Sequence, residues 1–162
     1  MRDCSWVPRA FEKLTLEGFQ CSSDRTSDSA RKYNCIAWAD GKTDKWWWPR
    51  QLAGYYWPAG LPREPLNRET IENFVKAFEL EGYERCDHGL MEIGFEKVAI
   101  YVNENNVPKH AARLLPSGSW TSKLGDLEDI EHFSLDSLEG PAYGRAVVFL
   151  KRRITRSESG MG

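Results

Sequence analysis

The clearest pattern in the first half of the chain is an apolar stripe with the spacing of an amphipathic helix. Four residues follow the i, i+3, i+4, i+7 spacing that puts side chains on one helix face: Ile71, Phe74, Val75 and Phe78. Asn67 is a suitable N-cap ahead of this stripe, and Gly82 follows it where a helix commonly ends. We therefore expect a helix between these two residues, packed on a sheet through its apolar face.

A shorter helix is predicted where a polar loop gives way to apolar residues. Residues 21–32 are rich in serine and aspartate and favour a loop, whereas residues 33–39 are mostly apolar and contain good helix formers. Gly41 stands where this second pattern would stop. The sequence predicts a short buried helix that begins at or just before Cys35.

The rest of the N-terminal half is predicted to be mostly irregular. Residues 1–20 carry a broken apolar pattern, which indicates a strand or a short turn of helix packed against the body. Residues 44–66 contain four prolines, and these prevent a regular element from continuing for long.

The second half carries four segments with the composition of β-strands. Residues 95–102, 109–115, 119–124 and 145–150 are rich in strand-forming residues and are bounded by turn signals. The short separation of the second and third segments predicts a hairpin. The acidic segment 126–140 is expected to be helical in part.

This order of elements predicts an α+β fold with an N-terminal helical half packed on a C-terminal antiparallel sheet. The length of 162 residues suits one domain, which we place at residues 1–152. Residues 153–162 are charged and end in glycine, so they are expected to form a flexible tail.

Composition and charge narrow the possible functions. The 22 basic residues nearly balance the 24 acidic ones, for a net charge of −2, so the chain has no electrostatic footprint for nucleic acid or an anionic membrane. No apolar run approaches a membrane span, and the N-terminus lacks the apolar core of a secretory signal. We therefore expect a cytoplasmic protein.

Cysteine usage favours thiols over a disulfide framework or a zinc site. The four cysteines lie far apart in the sequence and form no C-x-x-C pair: Cys4, Cys21, Cys35 and Cys86. In a reducing compartment they are expected to be free thiols. A zinc site of Cys86, His88 and His110 lacks the usual ligand spacing, so no metal is predicted.

Aromatic residues are concentrated between positions 46 and 58, in the sequences WWWP and YYWP. Such residues bury large areas and carry N–H or O–H groups that need partners. Two interpretations stay open: a proline-braced loop that caps the core, and the wall of a groove that holds a substrate.

One constellation could carry chemistry. Cys35 lies at the predicted start of a buried helix, where unpaired N–H groups favour a thiolate. His110 begins a predicted strand, and a strand packed across the helix start could bring the imidazole to the thiol. Ser122, on the facing hairpin strand, could orient the ring.

These residues resemble those of the papain-like cysteine hydrolases. The sequence YNCIAWA at 33–39, HAAR at 110–113 and WTS at 120–122 are most similar to the compact bacterial NlpC-like branch. In that family a polar residue precedes the nucleophile, as Asn34 does here, and the catalytic histidine starts a strand, as His110 does. The third residue follows about a dozen positions later, where this chain has Ser122.

The resemblance implies a papain-like fold and a thiol hydrolase or acyl transferase that acts on an amide bond and needs no cofactor. Cys35 would be the nucleophile, His110 the base and then the acid, and the backbone N–H of Cys35 an oxyanion donor. The partner would be a peptide or protein substrate: a peptide, an isopeptide or a glutamine side chain.

Several assignments within that site stay open. The family's third residue is usually His, Asn or Asp, so four other residues could replace Ser122: Thr121, Asp126, Glu131 or His132. Ser29 or Tyr33 could supply a second oxyanion donor. Four residues are predicted to line the substrate cleft: Asn34, Trp48, Trp57 and Trp120.

The alternative function is a catalytically inactive papain-like scaffold that binds another protein. In that case the Trp/Tyr-rich segment would form the binding surface, and Cys35 would be a small buried core residue. Thiol reactivity distinguishes the two hypotheses, because only the enzyme requires Cys35 to react faster than the other cysteines.

Overall fold

A computed structural model describes residues 4–21, 32–50, 52–63, 69–124 and 128–154. The helices within these ranges are short: α1 is Val7–Ala10, α2 is Cys35–Ala39 and α3 is Ile71–Glu79. Two further turns, Leu16–Gly18 and Asp136–Leu138, are 3₁₀-helical. Among the described residues no helix has both the length and the apolar character needed to cross a membrane.

Side-chain caps set the starts of the two helices that the sequence predicts. Asn34 accepts a hydrogen bond from the backbone N–H of Ala37, which fixes the start of α2 at Cys35 as expected. Thr70 caps α3 in the same way through the N–H of Asn73. The third helix therefore begins at Ile71, and the predicted N-cap Asn67 lies outside the described residues.

Nine strands are described. The first four are β1 Phe19–Cys21, β2 Trp46–Trp47, β3 Tyr55–Tyr56 and β4 Glu84–Cys86. The other five are β5 Phe95–Val102, β6 Pro108–Leu114, β7 Trp120–Lys123, β8 Asp129–His132 and β9 Arg145–Arg153. β2 and β3 pair with each other, and the remaining seven form one antiparallel sheet in the order β1-β8-β7-β6-β5-β9-β4.

The sheet has apolar side chains on both faces, because its central strands are buried along most of their length. One face packs against α2 and α3 through residues such as Val98, Ile100 and Ala111. The other face packs against the N-terminal segment through Ala99, Tyr101 and Ala112. Alternation along β5 and β6 explains this division, since successive residues of a strand point to opposite faces.

The predicted papain-like α+β fold, with an N-terminal helical half packed on a C-terminal sheet, is wrong. Antiparallel sheet dominates the structure, and its helices have only four, five and nine residues. Prolines and polar loops in the N-terminal half leave no room for longer helices. That half instead supplies β1 and β4, which pair at the two edges of the sheet.

Three local expectations also change. The acidic segment is helical in part, at the 3₁₀ turn Asp136–Leu138, but it also contains the unpredicted strand β8, whose Ile130 pairs with both β7 and β1. The last strand extends to Arg153, which pairs with Phe95 of β5 although residue 153 was expected to begin the tail. Cys4 and Cys21 form a disulfide, so only Cys35 and Cys86 are free thiols.

A buried carboxyl beside α2 makes the stability of the fold depend on pH. Asp40 is fully buried at the end of the helix, where its nearest cations are Arg152 at 3.5 Å and Lys42 at 3.9 Å. Burial, and then the neighbouring carboxylate of Glu81, raise the pKa of Asp40 well above its ordinary value of 3.8.

Because folding raises this pKa, the ionisation of Asp40 lowers the free energy of unfolding as the pH rises above about 4. The loss of stability grows until the pH exceeds the raised pKa. We expect Asp40→Asn to raise the free energy of unfolding by about 1–2 kcal/mol at pH 8 and by much less at pH 4. Urea denaturation at both pH values measures the difference. Asp44→Asn, at an exposed position, is the control; a gain for Asp40→Asn that is equal at both pH values would contradict the argument.

Candidate functional site

A pocket of about 250 Å³ opens beside the start of α2. Its lining combines the thiol, an aromatic wall and two cations: Asn34, Cys35, Trp46, Trp48, Arg50, Tyr55, Lys109 and Tyr143. The aromatic segment therefore contributes both to the core and to the wall of a pocket. Trp47 and Trp57 belong to the core, whereas three of their neighbours line the pocket.

Asn34 fixes the position of the thiol. Besides capping α2, its Oδ1 accepts a hydrogen bond from the backbone N–H of Trp47, and its Nδ2 donates to the Trp47 carbonyl at 2.7 Å. The helix start and the aromatic strand β2 are thus tied together by one buried amide. This gives Asn34 a positioning role beside its place in the pocket lining.

Cys35 is nearly buried, with 6% of its surface exposed at the pocket. Burial raises the pKa of its thiol to about 11, and a hydrogen bond from the backbone N–H of Ala111 opposes that rise in part. At neutral pH the thiol is therefore protonated and needs a base before it can act as a nucleophile.

His110 lies in the core on β6, next to Ala111, and is fully buried. Its Nε2 lies 2.8 Å from the Ser122 hydroxyl, as the spacing on the facing strand predicted. The same hydroxyl lies 2.8 Å from Nε2 of His132, whose Nδ1 is 2.9 Å from the carbonyl of Ser134. Three buried side chains and a carbonyl thus form one hydrogen-bonded chain.

The direction of the protons in this chain follows from its end. A carbonyl only accepts, so Nδ1 of His132 carries a proton and donates it to Ser134. Nε2 of the neutral His132 then accepts from the Ser122 hydroxyl, and that oxygen accepts from Nε2–H of His110. Nδ1 of His110 is left as an unprotonated acceptor.

Both imidazoles are held neutral by their surroundings. Burial lowers the pKa of His132 to about 4, although its bond to Ser134 opposes the shift. Burial, with the nearby His132, lowers the pKa of His110 well below its ordinary value of 6.5. Neutral imidazoles are required by the proton assignment above, so the electrostatics and the hydrogen bonds agree.

The Nδ1 atom of His110 is buried and has no hydrogen-bond partner among the described residues. Its ring packs face to face with Tyr143, at 4.0 Å between ring centroids. Tyr143 also lines the pocket beside Cys35, and burial followed by the charge of the Cys35 thiolate raises its pKa. An unpaired buried acceptor is rare in native proteins and calls for a functional explanation.

The thiol and the imidazole lie on opposite sides of β6, and no hydrogen bond joins them. Both chain neighbours of His110 lie on the thiol's side of β6: Lys109 lines the same pocket, and Ala111 donates its backbone N–H to the sulfur. Alternation along β6 directs the His110 ring to the other face of the sheet. No hydrogen bond joins Cys35 Sγ to His110 within the described ranges.

Two residues predicted to line the cleft lie elsewhere. Trp57 is in the core, where its indole N–H donates to Asn73 and its ring contacts Phe74. Trp120 packs on the opposite face of the sheet, among the residues around Tyr101. Of the predicted substrate-binding residues, Asn34 and Trp48 do line the pocket.

The alternatives to Ser122 are placed differently from one another. Thr121 accepts a hydrogen bond from the indole of Trp38, and Glu131 accepts one from Gln20 at the edge of the sheet. His132 joins the chain through Ser122 without contacting His110 through a hydrogen bond of its own. Asp126 and the candidate oxyanion donor Ser29 lie outside the described residues, and Tyr33 stacks on Trp38.

Sequence reasoning missed the cations and the tyrosine of the pocket. Arg50 and Lys109 are exposed and stand next to residues that the sequence did single out, Pro49 and His110. Tyr143 had no signal, because its position depends on the turn between Gly140 and Gly144. Among the described residues, no group of three or more His, Cys, Asp or Glu side chains could hold a metal ion.

A family model described as a domain of unknown function, DUF7689, matches residues 24–151. No curated protein and no solved structure matches the chain. The resemblance to NlpC-like hydrolases therefore stays a prediction that rests on the short motifs alone. The family match spans well over half of the sequence, and the chain belongs to the DUF7689 family.

Proposed function

We propose that this protein is a thiol-dependent hydrolase or acyl transferase that acts on an amide bond. The observation that carries the proposal is the unpaired Nδ1 of His110, buried at the end of a hydrogen-bonded chain that keeps it unprotonated. Alternation along β6 places the His110 ring on the face of the sheet opposite the thiol, so the proposal requires this neutral imidazole to turn to the thiol's side before it can act as a base.

The reaction would begin with a protonated thiol and a neutral imidazole. With the His110 ring turned to the thiol's side of β6, Nδ1 would take the thiol proton as Cys35 Sγ attacks the amide carbonyl, and a C–S bond would form while the carbonyl oxygen becomes an oxyanion. The backbone N–H of Cys35, in the first turn of α2, would donate to that oxyanion. The imidazolium then gives its proton to the leaving amine, and the C–N bond breaks to leave a thioester.

The second half of the reaction returns the enzyme to its starting state. His110 takes a proton from water or from an acceptor amine, which attacks the thioester carbonyl, and the thiol leaves with the proton restored. Ser122 supports both halves, because its oxygen accepts from Nε2–H of His110 and stabilises the imidazolium that forms each time. It is a positioning residue in this mechanism.

The low starting reactivity of the thiol makes the proposal testable. With a pKa of about 11 and no base, about one thiol in ten thousand would be ionised at pH 7. Iodoacetamide should then label Cys35 far more slowly than the more exposed free thiol Cys86. If His110 acts as base, Cys35 should instead be labelled at least about tenfold faster than Cys86.

The experiment labels the folded protein with iodoacetamide at pH 7 and follows both cysteines by peptide mass spectrometry. His110→Gln should slow Cys35 at least about tenfold while leaving Cys86 unchanged. His88→Gln, at an exposed histidine, is the matched control and should leave the Cys35 rate unchanged; the Cys86 rate is not compared in this variant, because the Cys86 thiol donates to the His88 carbonyl. Near-ultraviolet circular dichroism checks that each variant is folded.

Acyl transfer itself is followed with p-nitrophenyl acetate. Wild-type protein should release nitrophenolate and carry an acetyl group on Cys35, and Cys35→Ser should lose that burst. A Cys35 thiol that reacts only after unfolding, together with no acetylated enzyme, would sink the proposal. The aromatic pocket would then be better explained by the alternative function, a protein-binding scaffold.

A further inference from the structure

The pocket beside Cys35 is positively charged. Lys109 and Arg50 both line it, and none of the residues that line it is an aspartate or a glutamate. Lys109 is exposed and forms no ion pair among the residues the structure describes. This local charge contrasts with the net charge of −2 on the whole chain.

The aromatic wall strengthens the effect of these cations. Trp46 and Tyr55 line the same pocket, with ring centroids 6.2 Å apart, and each is half-buried. Trp48 completes the wall, and its indole N–H is already occupied by Glu69 at 3.1 Å. Low-dielectric walls around a charge reduce its screening by solvent, so an anion is favoured more here than on an open surface.

Lysine and arginine pair well with carboxylates, and aromatic rings pack against the methylene groups that separate a carboxylate from an amide. We propose that the pocket takes amide substrates that carry a carboxylate close to the scissile carbonyl, as acidic peptides do. Lys109 would hold the carboxylate, and the ring of Trp46 or Tyr55 would contact the carbon chain. This inference rests on the proposed function for its scissile bond, but its charge preference is measurable separately.

Two alkylating reagents that differ in charge test the preference. Iodoacetate is an anion and iodoacetamide its neutral analogue, so the ratio of their rates at Cys35, divided by the same ratio at Cys86, measures the pocket's selectivity for negative charge. We expect this normalised ratio to be about 10 at low salt and to fall toward 1 at high salt.

Lys109→Gln should lower the normalised ratio at least about threefold, and Arg50→Gln should lower it less. Lys76→Gln changes the net charge equally at an exposed site on α3, outside the pocket lining, and is the matched control. A ratio near one in the wild type, or one that Lys76→Gln lowers as much as Lys109→Gln, would overturn the inference.

A binding measurement decides the matter even if Cys35 does not react. In Cys35→Ser, N-acetylglutamate should change the fluorescence of the pocket tryptophans at lower concentration than N-acetylglutamine, and Lys109→Gln should remove that difference. If N-acetylglutamate binds in this way but Cys35 is inert, the charge preference stands and the proposed catalysis fails. If Cys35 reacts rapidly without preferring the anionic reagent or ligand, the catalysis stands and the charge preference is refuted.

Discussion

Gly144→Ala should destabilise the fold by about 3–4 kcal/mol. A Cβ atom at this position would lie 1.9 Å from the carbonyl oxygen of Val102 and 2.9 Å from Cα of Asn103. Both contacts are with backbone of the central strand β5 and its turn, which cannot turn aside as a side chain can. The residue also has a φ of +82°, so alanine adds about 1 kcal/mol of conformational strain to the cost of overpacking.

Gly118→Ala separates these two contributions. Gly118 has a φ of +97°, yet a Cβ there would meet nothing within 4 Å. We expect it to cost about 1 kcal/mol, the price of the backbone conformation alone. Urea denaturation of both variants measures the difference. Equal losses of stability would contradict the argument, because the overpacking against Val102 would then not destabilise the fold.

The same substitution should disturb the candidate site. Gly140 and Gly144 exchange two backbone hydrogen bonds, of 3.1 and 2.8 Å, and the turn between them carries Tyr143. Displacing Gly144 from Val102 would therefore move the ring that stacks on His110. We expect the labelling rate of Cys35 to change in Gly144→Ala and to stay unchanged in Gly118→Ala.

Local sequence patterns were sufficient where neighbouring residues decide the structure. The strand Phe95–Val102 has the predicted bounds, and the start of α2 at Cys35 follows from one capping residue, Asn34. The hairpin of β6 and β7 was also predicted, because a turn sequence stands between two strand-forming segments. Each of these features depends on contacts within a few residues.

The sheet as a whole could not be predicted in this way. β1 and β4 are three-residue strands whose composition carries little signal, and they exist because distant strands offer free edges. β8 was not predicted, because four residues of mixed polarity carry little strand signal, and the strand forms through its pairing with β7 and β1. The predicted N-terminal helical half was wrong for a related reason: the local sequence of that half does not show that its segments pair with distant strands.

In the candidate site, one contact was predicted from the sequence and other features were not. The spacing of 12 residues between His110 and Ser122 predicted their contact, since both lie on adjacent strands of one hairpin. His132 was one of several alternatives, and its role depends on β8 lying beside β7, which the sequence did not indicate. The Cys4–Cys21 disulfide was missed because the expectation of a reducing compartment was applied to all four cysteines.

The buried histidine chain should make the protein sensitive to mild acid. His110 and His132 are both fully buried, and burial lowers the pKa of His132 from 6.5 to about 4 and that of His110 well below 6.5. A lowered pKa means that the unfolded chain binds protons more readily than the folded one below pH 6.5. The stability from these two groups is therefore complete above that pH and is lost as the pH falls toward 4.

The expected loss is about 2 kcal/mol for His132 between pH 7 and pH 5, and His110 adds a loss in the same direction. Asp40 acts in the opposite direction over this range, so the measurement is made in Asp40→Asn, where that carboxyl is absent. Urea denaturation at pH 5, 6 and 7 gives the slope, and proton NMR of the imidazole C2–H resonances gives the two pKa values directly. Either buried histidine titrating near 6.5 would contradict the proton assignment in the chain and would remove the reason for taking Nδ1 of His110 as an acceptor ready for the thiol proton of Cys35.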